Sequence, residues 1–304
     1  MTTTPELPAG LTTRPLRTTD ATAVHQLMAA QELEDIGEVV IEEADIVSDW
    51  AKPSHDLAAR SIGVWDGDDL VAYAELAGAD RAHTSVAPGH RGRGIGTWLA
   101  HWLQDLGRRR GSRVVGESVP QGSPGDRLLE ELGYRVRWTS WVLKLPAGAS
   151  IPERELPEGY VVRTAGPDDL RAAHDVLEDA FLEWSERERE PYEDFEAATR
   201  GRPGFEPWNL RVAVDGDGEV VGVSLVLVSD NGATGYVDRL AVRADQRNRG
   251  IAQALLVDSF AQARAHGTTT SELSTDSRTG ALGLYERVGM VAESVWVNRA
   301  VDLT

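Results

Sequence analysis

Apolar residues recur at helical spacing in two long stretches of the chain. Trp98, Leu99, Trp102, Leu103 and Leu106 form one stripe, and Leu255, Leu256, Ser259, Phe260 and Ala263 form the other. Each stretch therefore predicts a helix with one buried face, the tryptophans lying against a sheet. Two β-rich runs broken by Asp-Gly, Trp65 to Ala72 and Val214 to Val221, predict hairpins. Around these landmarks each half reads as a strand, one or two helices, a hairpin, a strand, a Gly/Arg loop, the long helix, a strand, a short helix and a last strand. That order predicts an α/β fold, a mixed sheet with helices on both faces.

The same elements occur twice. Gly10 to Arg14 echoes Gly159 to Arg163, each followed by a polar turn with an Asp, Asp20 or Asp169. Val86 to Gly96 echoes Val242 to Ala252, and Leu128 to Gly133 echoes Leu284 to Gly289. Ordered matches over most of both halves indicate an internal duplication. The stretch between them, with Pro146, Gly148, Pro152 and Pro157, predicts a linker. The expected division is 1–145, a linker at 146–158, and 159–304.

Composition narrows the function classes. The chain has 304 residues, 31 Lys+Arg, 49 Asp+Glu and no cysteine. It is long enough to bury two cores, and disulfides, thiolate metal sites and cysteine nucleophiles are excluded. A net charge of −18 argues against a nucleic-acid partner. The N-terminal Met1 to Pro8 has neither basic nor apolar character, and no apolar run reaches about 20 residues, so neither a signal peptide nor a membrane partner is expected. A cytoplasmic protein is the expectation. None of the 7 histidines has metal-ligand spacing, and no metal is implied.

Candidate chemistry concentrates in the loop between strand and long helix, Arg91-Gly92-Arg93-Gly94-Ile95-Gly96-Thr97 and its copy Arg247-Asn248-Arg249-Gly250-Ile251-Ala252-Gln253. Small residues admit close approach, and the helix start offers unpaired N–H groups to an anion such as phosphate. A P-loop is excluded because neither lysine, Lys52 nor Lys144, follows a glycine. A dinucleotide fingerprint fails at Thr97. The remaining pattern, R-x-x-G-x-G and R-x-x-G-x-A after strands ending at Val86 and Val242, resembles the acetyl-CoA pyrophosphate motif of the GNAT superfamily of N-acetyltransferases. The downstream Leu284-Tyr285-Glu286 with Gly289 and Met290 strengthens the likeness.

The resemblance implies two tandem GNAT domains, each a mixed, mostly antiparallel sheet flanked by helices, with acetyl-CoA as cofactor and coenzyme A as product. It places the coenzyme along Leu240, Ala241, Val242 and the second loop from Arg247 to Gln253, and along Ser85, Val86 and the first loop from Arg91 to Thr97. Tyr285 takes the family's general-acid position. The usual downstream asparagine is missing, Ser277 or Arg278 standing there. A glutamate common in the family at the place of Tyr236 is absent. Strict alternation puts Tyr236, Asp238, Leu240 and Val242 on one face, which makes Asp238 a candidate base or substrate anchor. An ion pair to Arg239 or Arg243 is equally open.

The first half has Leu129 where Tyr285 stands and Ala82 where Asp238 stands. It is expected to be catalytically degenerate, holding coenzyme or only the fold. In the second half, Asp168 to Glu196 carries twelve acids against three arginines. Glu183 and Glu186, with Glu178, Glu190 and Glu193, fit a cationic amine substrate, and they equally fit a solvated helix face. The expected reaction is direct attack of a primary amine on acetyl-CoA in a ternary complex. A protein N-terminus or lysine as acceptor, and a non-catalytic coenzyme-binding module, remain open, as do monomer and dimer.

Overall fold

The computed structural model describes residues 6–229 and 232–303; residues 1–5, which open the stretch read for a signal peptide, lie outside them. The chain forms two compact units. One gathers the residues up to Thr139 together with those from Val295 onward, and the other runs from Ser140 to Ser294.

In the first unit β1 (Thr12–Arg14), β2 (Ser61–Asp66), β3 (Asp69–Leu76) and β4 (Arg81–Val86) pair antiparallel in that order. β4 then meets β5 (Val114–Pro120) in parallel, but only at Arg81↔Gly116 and Ala82↔Glu117. Beyond that pair the two strands part. Helix α1 (Ala21–Asp35) and α2 (Glu43–Trp50) cover one face through Val24, Leu27, Ile46 and Trp50, followed by the short α3 (Leu57–Arg60). Helix α4 (Ile95–Arg110) covers the other with Ile95, Leu99, Leu103 and Leu106, while Trp98 and Trp102 are half-buried at the margin of that core. The expected stripe is therefore present, with its leucines deeper than its tryptophans. Removing one such buried leucine side chain costs about 2–5 kcal/mol. The short helix α5 (Pro124–Glu131) starts at Ser123, whose hydroxyl accepts from Asp126 N.

Strand β6 (Arg135–Lys144) starts in the first unit and from Ser140 belongs to the second. There follow β7 (Val161–Thr164), α6 (Leu170–Leu182), α7 (Tyr192–Thr199), β8 (Leu210–Val214), β9 (Val220–Ser229), β10 (Thr234–Val242), α8 (Ile251–Ala265), β11 (Thr270–Asp276), α9 (Leu282–Arg287) and β12 (Val291–Asp302). The sheet again mixes antiparallel pairs with one parallel pair, β10 with β11 from Thr234↔Thr270 to Val237↔Leu273. Helix α6 packs on one face through Leu170, Ala173 and Leu177. Leu256, Phe260 and Ala263 of α8 pack on the other.

The compact units are not separated at the linker. β11 pairs with β6 from Ser140 to Lys144, so the strand that ends the first half closes the second unit's sheet. β5 pairs with β12 from Trp296 to Asp302, so the end of the chain closes the first. The duplicated halves have exchanged their final strands.

Candidate active site

Two loops of one design join a strand to a long helix. After β10 the backbone turns left-handed at Asn248 (φ 64°) and Gly250 (φ 86°) before α8; after β4 it does so at Gly92 (φ 72°) and Gly94 (φ 86°) before α4. Asparagine enters this region more readily than most side chains, so the loops keep one path despite different glycine content. The first helical bonds run from Ala254 N to the Gly250 carbonyl and from Trp98 N to that of Gly94. The N–H groups of Ile251, Ala252 and Gln253, and of Ile95, Gly96 and Thr97, are therefore orphans of the first turn, and no side chain caps either helix. Such donors at the positive end of a helix suit an anionic ligand. Gly250 is also steric: a Cβ there would lie 2.9 Å from Arg154 Cδ.

The loop arginines divide into two kinds. Arg247 donates to both oxygens of Glu183 at 2.6 Å and to the Val242 carbonyl at 3.1 Å. Arg91 repeats this with Asp35 at 2.7 and 3.0 Å and the Val86 carbonyl at 3.4 Å. These two brace the loop against the preceding helix segment, and their charge is matched by a carboxylate. Arg247 in turn holds the Glu183 carboxyl below the usual range. Arg249 touches only the Tyr160 hydroxyl, at 3.4 Å, and Arg93 has no partner among the described residues. Among the described residues, the second arginine of each loop is thus the one whose charge no carboxylate matches.

Upstream of the second loop, β10 carries a bulge. Val237 pairs with Val226 and Arg239 with Leu225, leaving Asp238 as the extra residue. The bulge overturns the strict alternation. Val237, Leu240 and Val242 pack with the α8 side, whereas Ala241 packs with α6. Tyr236 and Asp238 accordingly do not share a face with Leu240 and Val242. The Tyr236 hydroxyl donates to Ser274 Oγ at 2.7 Å. Asp238 is 38% exposed and lies 3.5 Å from Arg239 Nε, while Arg239 Nη1 reaches Glu190 at 3.0 Å. Arg243 pairs instead with Asp245, so of the two ion pairs expected for Asp238 the one to Arg239 is present.

Past Val237 the β11-facing edge of β10 opens. Arg243 N donates to the Val221 carbonyl on the β9 side, so by alternation Leu240 and Val242 turn their N–H groups into the opening. Among the described residues no side chain accepts from either. Tyr285, on α9, is buried against Val237, Leu256 and Phe260. Burial pushes its phenol up to about 12. Its hydroxyl has no hydrogen-bond partner among the described residues, which leaves a protonated, uncommitted donor. In the first unit Leu129 is buried at the corresponding place.

Much of the acidic segment is neutralised where it stands. Arg187 grips Glu178 at 2.7 Å through both nitrogens, and Arg189 bridges Asp175 and Asp179 at 2.6 and 2.7 Å. Glu183 and Glu190 belong to the arginine pairs above. Glu186 and Glu193 have no ionic partner among the described residues. Arg278, which with Ser277 is one of the two candidates for the place of the missing asparagine, folds back on Asp276 at 2.5 Å and lies 4.7 Å over the Trp184 ring. Neither the bulge nor this stacked arginine has a local sequence signal. No group of metal-binding side chains occurs among the described residues.

The model of the Acetyltransferase (GNAT) family matches residues 24–134 and again 170–290. The chain is 30% identical to a mycothiol acetyltransferase of Streptomyces coelicolor over 247 residues, 79% of this chain and 78% of that protein. With the mycothiol acetyltransferase of Salinispora arenicola it shares 31% over 264 residues, 81% of each. Among solved structures, a GCN5-related N-acetyltransferase from Sphaerobacter thermophilus superposes with a TM-score of 0.74 at 30% identity, covering 98% of this chain and 97% of that one. A tandem GNAT protein from the clavulanic acid biosynthesis pathway has the same fold, with a TM-score of 0.73 at 18% identity and coverage of 97% and 99%.

Proposed function

The chain belongs to the GNAT family and is an acetyl-CoA-dependent N-acetyltransferase, and on that premise we propose that acetyl transfer takes place in the second unit, with Tyr285 as general acid. One observation carries this reading: a buried phenol, pushed up to about 12 and without a partner among the described residues, is present in one unit and replaced by Leu129 in the other. Acetyl-CoA supplies the acetyl thioester. The orphan N–H groups of Ile251, Ala252 and Gln253, with Arg249, hold its phosphates. The opened edge of β10, through Leu240 N and Val242 N, faces the thioester end.

An alkylamine has a pKa of about 10.4 and must lose a proton before it attacks. Asp238, half-exposed at the bulge, anchors the ammonium and receives that proton directly or through water. The amine nitrogen then bonds to the acetyl carbon as the carbon–sulfur bond breaks. Tyr285 delivers a proton to the departing sulfur. Without a cysteine the chain has no thiol to carry the acetyl group, so direct attack in a ternary complex is the economical route.

For the acceptor, relatives named mycothiol acetyltransferase at about 30% identity over four-fifths of the chain support a small-molecule amine, and a mycothiol-type acceptor is the first to try. Thiol release from acetyl-CoA, followed over a panel of amines with products identified by mass spectrometry, tests the reading. A Tyr285→Phe enzyme as fast as the parent removes Tyr285 from the chemistry.

A further inference from the structure

The first unit keeps the loop, the helix start and a cavity of about 220 Å³ between β4 and β5, lined by Val86, Arg91, Gly96, Glu117 and Leu128 among others. Its strand edge differs from that of the second unit. Thr84 and Val86 align with Leu240 and Val242, whose N–H groups are left without a side-chain acceptor. In the first unit the Glu117 carboxylate accepts from Thr84 N at 2.6 Å and from Thr84 Oγ1 at 2.7 Å. The Gln31 side-chain oxygen accepts from Val86 N at 3.0 Å and from Ser85 Oγ at 2.7 Å. Both strand donors that turn into the cleft are thus already satisfied by the protein.

We propose that Glu117 and Gln31 act as built-in ligands that latch the first cleft against coenzyme, so that the chain binds a single coenzyme A, in the second unit. Both partners are well placed to stay. Glu117 is 7% exposed and on β5, where the parallel pairing with β4 ends, so its carboxyl spans the gap a ligand would enter. Gln31 projects from α1, which is fixed to the loop by the Asp35–Arg91 pair one turn further on. A coenzyme entering here must break four hydrogen bonds and return a buried carboxyl to unsatisfied surroundings, which costs more than an ordinary exchange of bonds with water. At the position that matches Glu117 the second unit has Leu273, whose side chain offers no acceptor to the strand donors.

The inference rests on the proposed coenzyme site of the second unit, and the test separates the two. Amide exchange of the full chain with and without coenzyme A, read by mass spectrometry over residues 82–98 and 238–254, is expected to show protection in the second segment alone. Protection of residues 82–98 in the parent protein overturns the latch. The double variant Gln31→Ala, Glu117→Ala is expected to gain protection there and to raise the calorimetric stoichiometry from one to two; a folded variant that gains neither also overturns it. Should that variant not fold, Gln31→Ala alone must gain measurable protection at Val86. Absence of protection at 238–254 counts against the proposed function, and the latch is still decided by whether the variants gain binding at 82–98.

Discussion

Asn248 and Gly92 occupy the same left-handed backbone conformation, φ 64° and 72°, at matching positions of the two loops. The conformation, more than the glycine, is what the loop requires. Asn248→Gly should leave coenzyme affinity and stability within a few tenths of a kcal/mol. Asn248→Val should strain the turn by about 1–2 kcal/mol and weaken coenzyme A binding about tenfold, as measured by calorimetry. Equal affinity in the valine variant would show that the turn tolerates another path.

Tyr285→Phe keeps the packing against Leu256 and Phe260 and removes the proposed proton donor. The expected outcome is a fall in kcat of about 100-fold, equivalent to roughly 2.7 kcal/mol of transition-state stabilisation, with coenzyme binding unchanged. Because burial pushes the phenol up to about 12, Tyr285 should produce no falling limb in the parent pH–rate profile below about pH 10.

The Glu183 carboxylate, a candidate for the acceptor site, accepts from both Nη atoms of Arg247. Glu183→Gln should therefore raise the KM for acetyl-CoA by loosening the loop and leave the acceptor KM nearly unchanged. Steady-state kinetics with each substrate varied in turn distinguish the cases; a selective rise in the acceptor KM would place Glu183 at the acceptor site.

Burial pushes the Glu117 carboxyl up from 4.5 to about 7, against the opposing bonds from Thr84. The folded protein binds this proton more tightly than the unfolded chain does. The resulting stability is fully present below about pH 4.5 and is lost as pH rises through 7, on the order of 3 kcal/mol in all. Chemical denaturation between pH 5 and 8 should show stability falling with pH in the parent and a flatter dependence in Glu117→Gln. Parallel curves would mean that Glu117 does not titrate in this range.

The strand exchange makes a prediction about fragments. A piece cut at the linker, 159–304, lacks Ser140 to Lys144 and leaves the β11 edge open, along with the Lys144 contacts to Glu272 and Glu293. An open edge of this kind favours aggregation. Residues 140–294 carry all of the second unit's sheet and should give the more cooperative thermal transition by circular dichroism. Equal behaviour of the two pieces would show the exchanged strand to be dispensable.

What the sequence made legible is local. The duplication, both loops, the long helices and the Tyr285/Leu129 contrast all depend on residues near one another in the chain, where periodicity and motif spacing carry information. The bulge at Asp238 was hidden because a one-residue insertion in a ladder has no composition of its own, and it reverses every later side chain. The exchange of β6 and β12 was hidden for a different reason: each strand pairs equally well by pattern with either half, and proximity in sequence favoured the wrong partner. Glu117 did leave a trace, an acid among Val114, Val115, Gly116 and Val119 in a strand otherwise suited to burial. Its bond to Thr84 spans 33 residues and could not be read from that trace.

The exchanged strands also bear on how such a chain can evolve. Once each copy completes the other's sheet, the pair behaves like a ratchet. On the proposed division of labour, a leucine at the place of Tyr285 can strip one copy of its chemistry, yet deleting that copy would take the closing strand from the other. A half without chemistry would then be inherited as structural necessity, free to drift in its cleft and held fixed along Ser140 to Lys144.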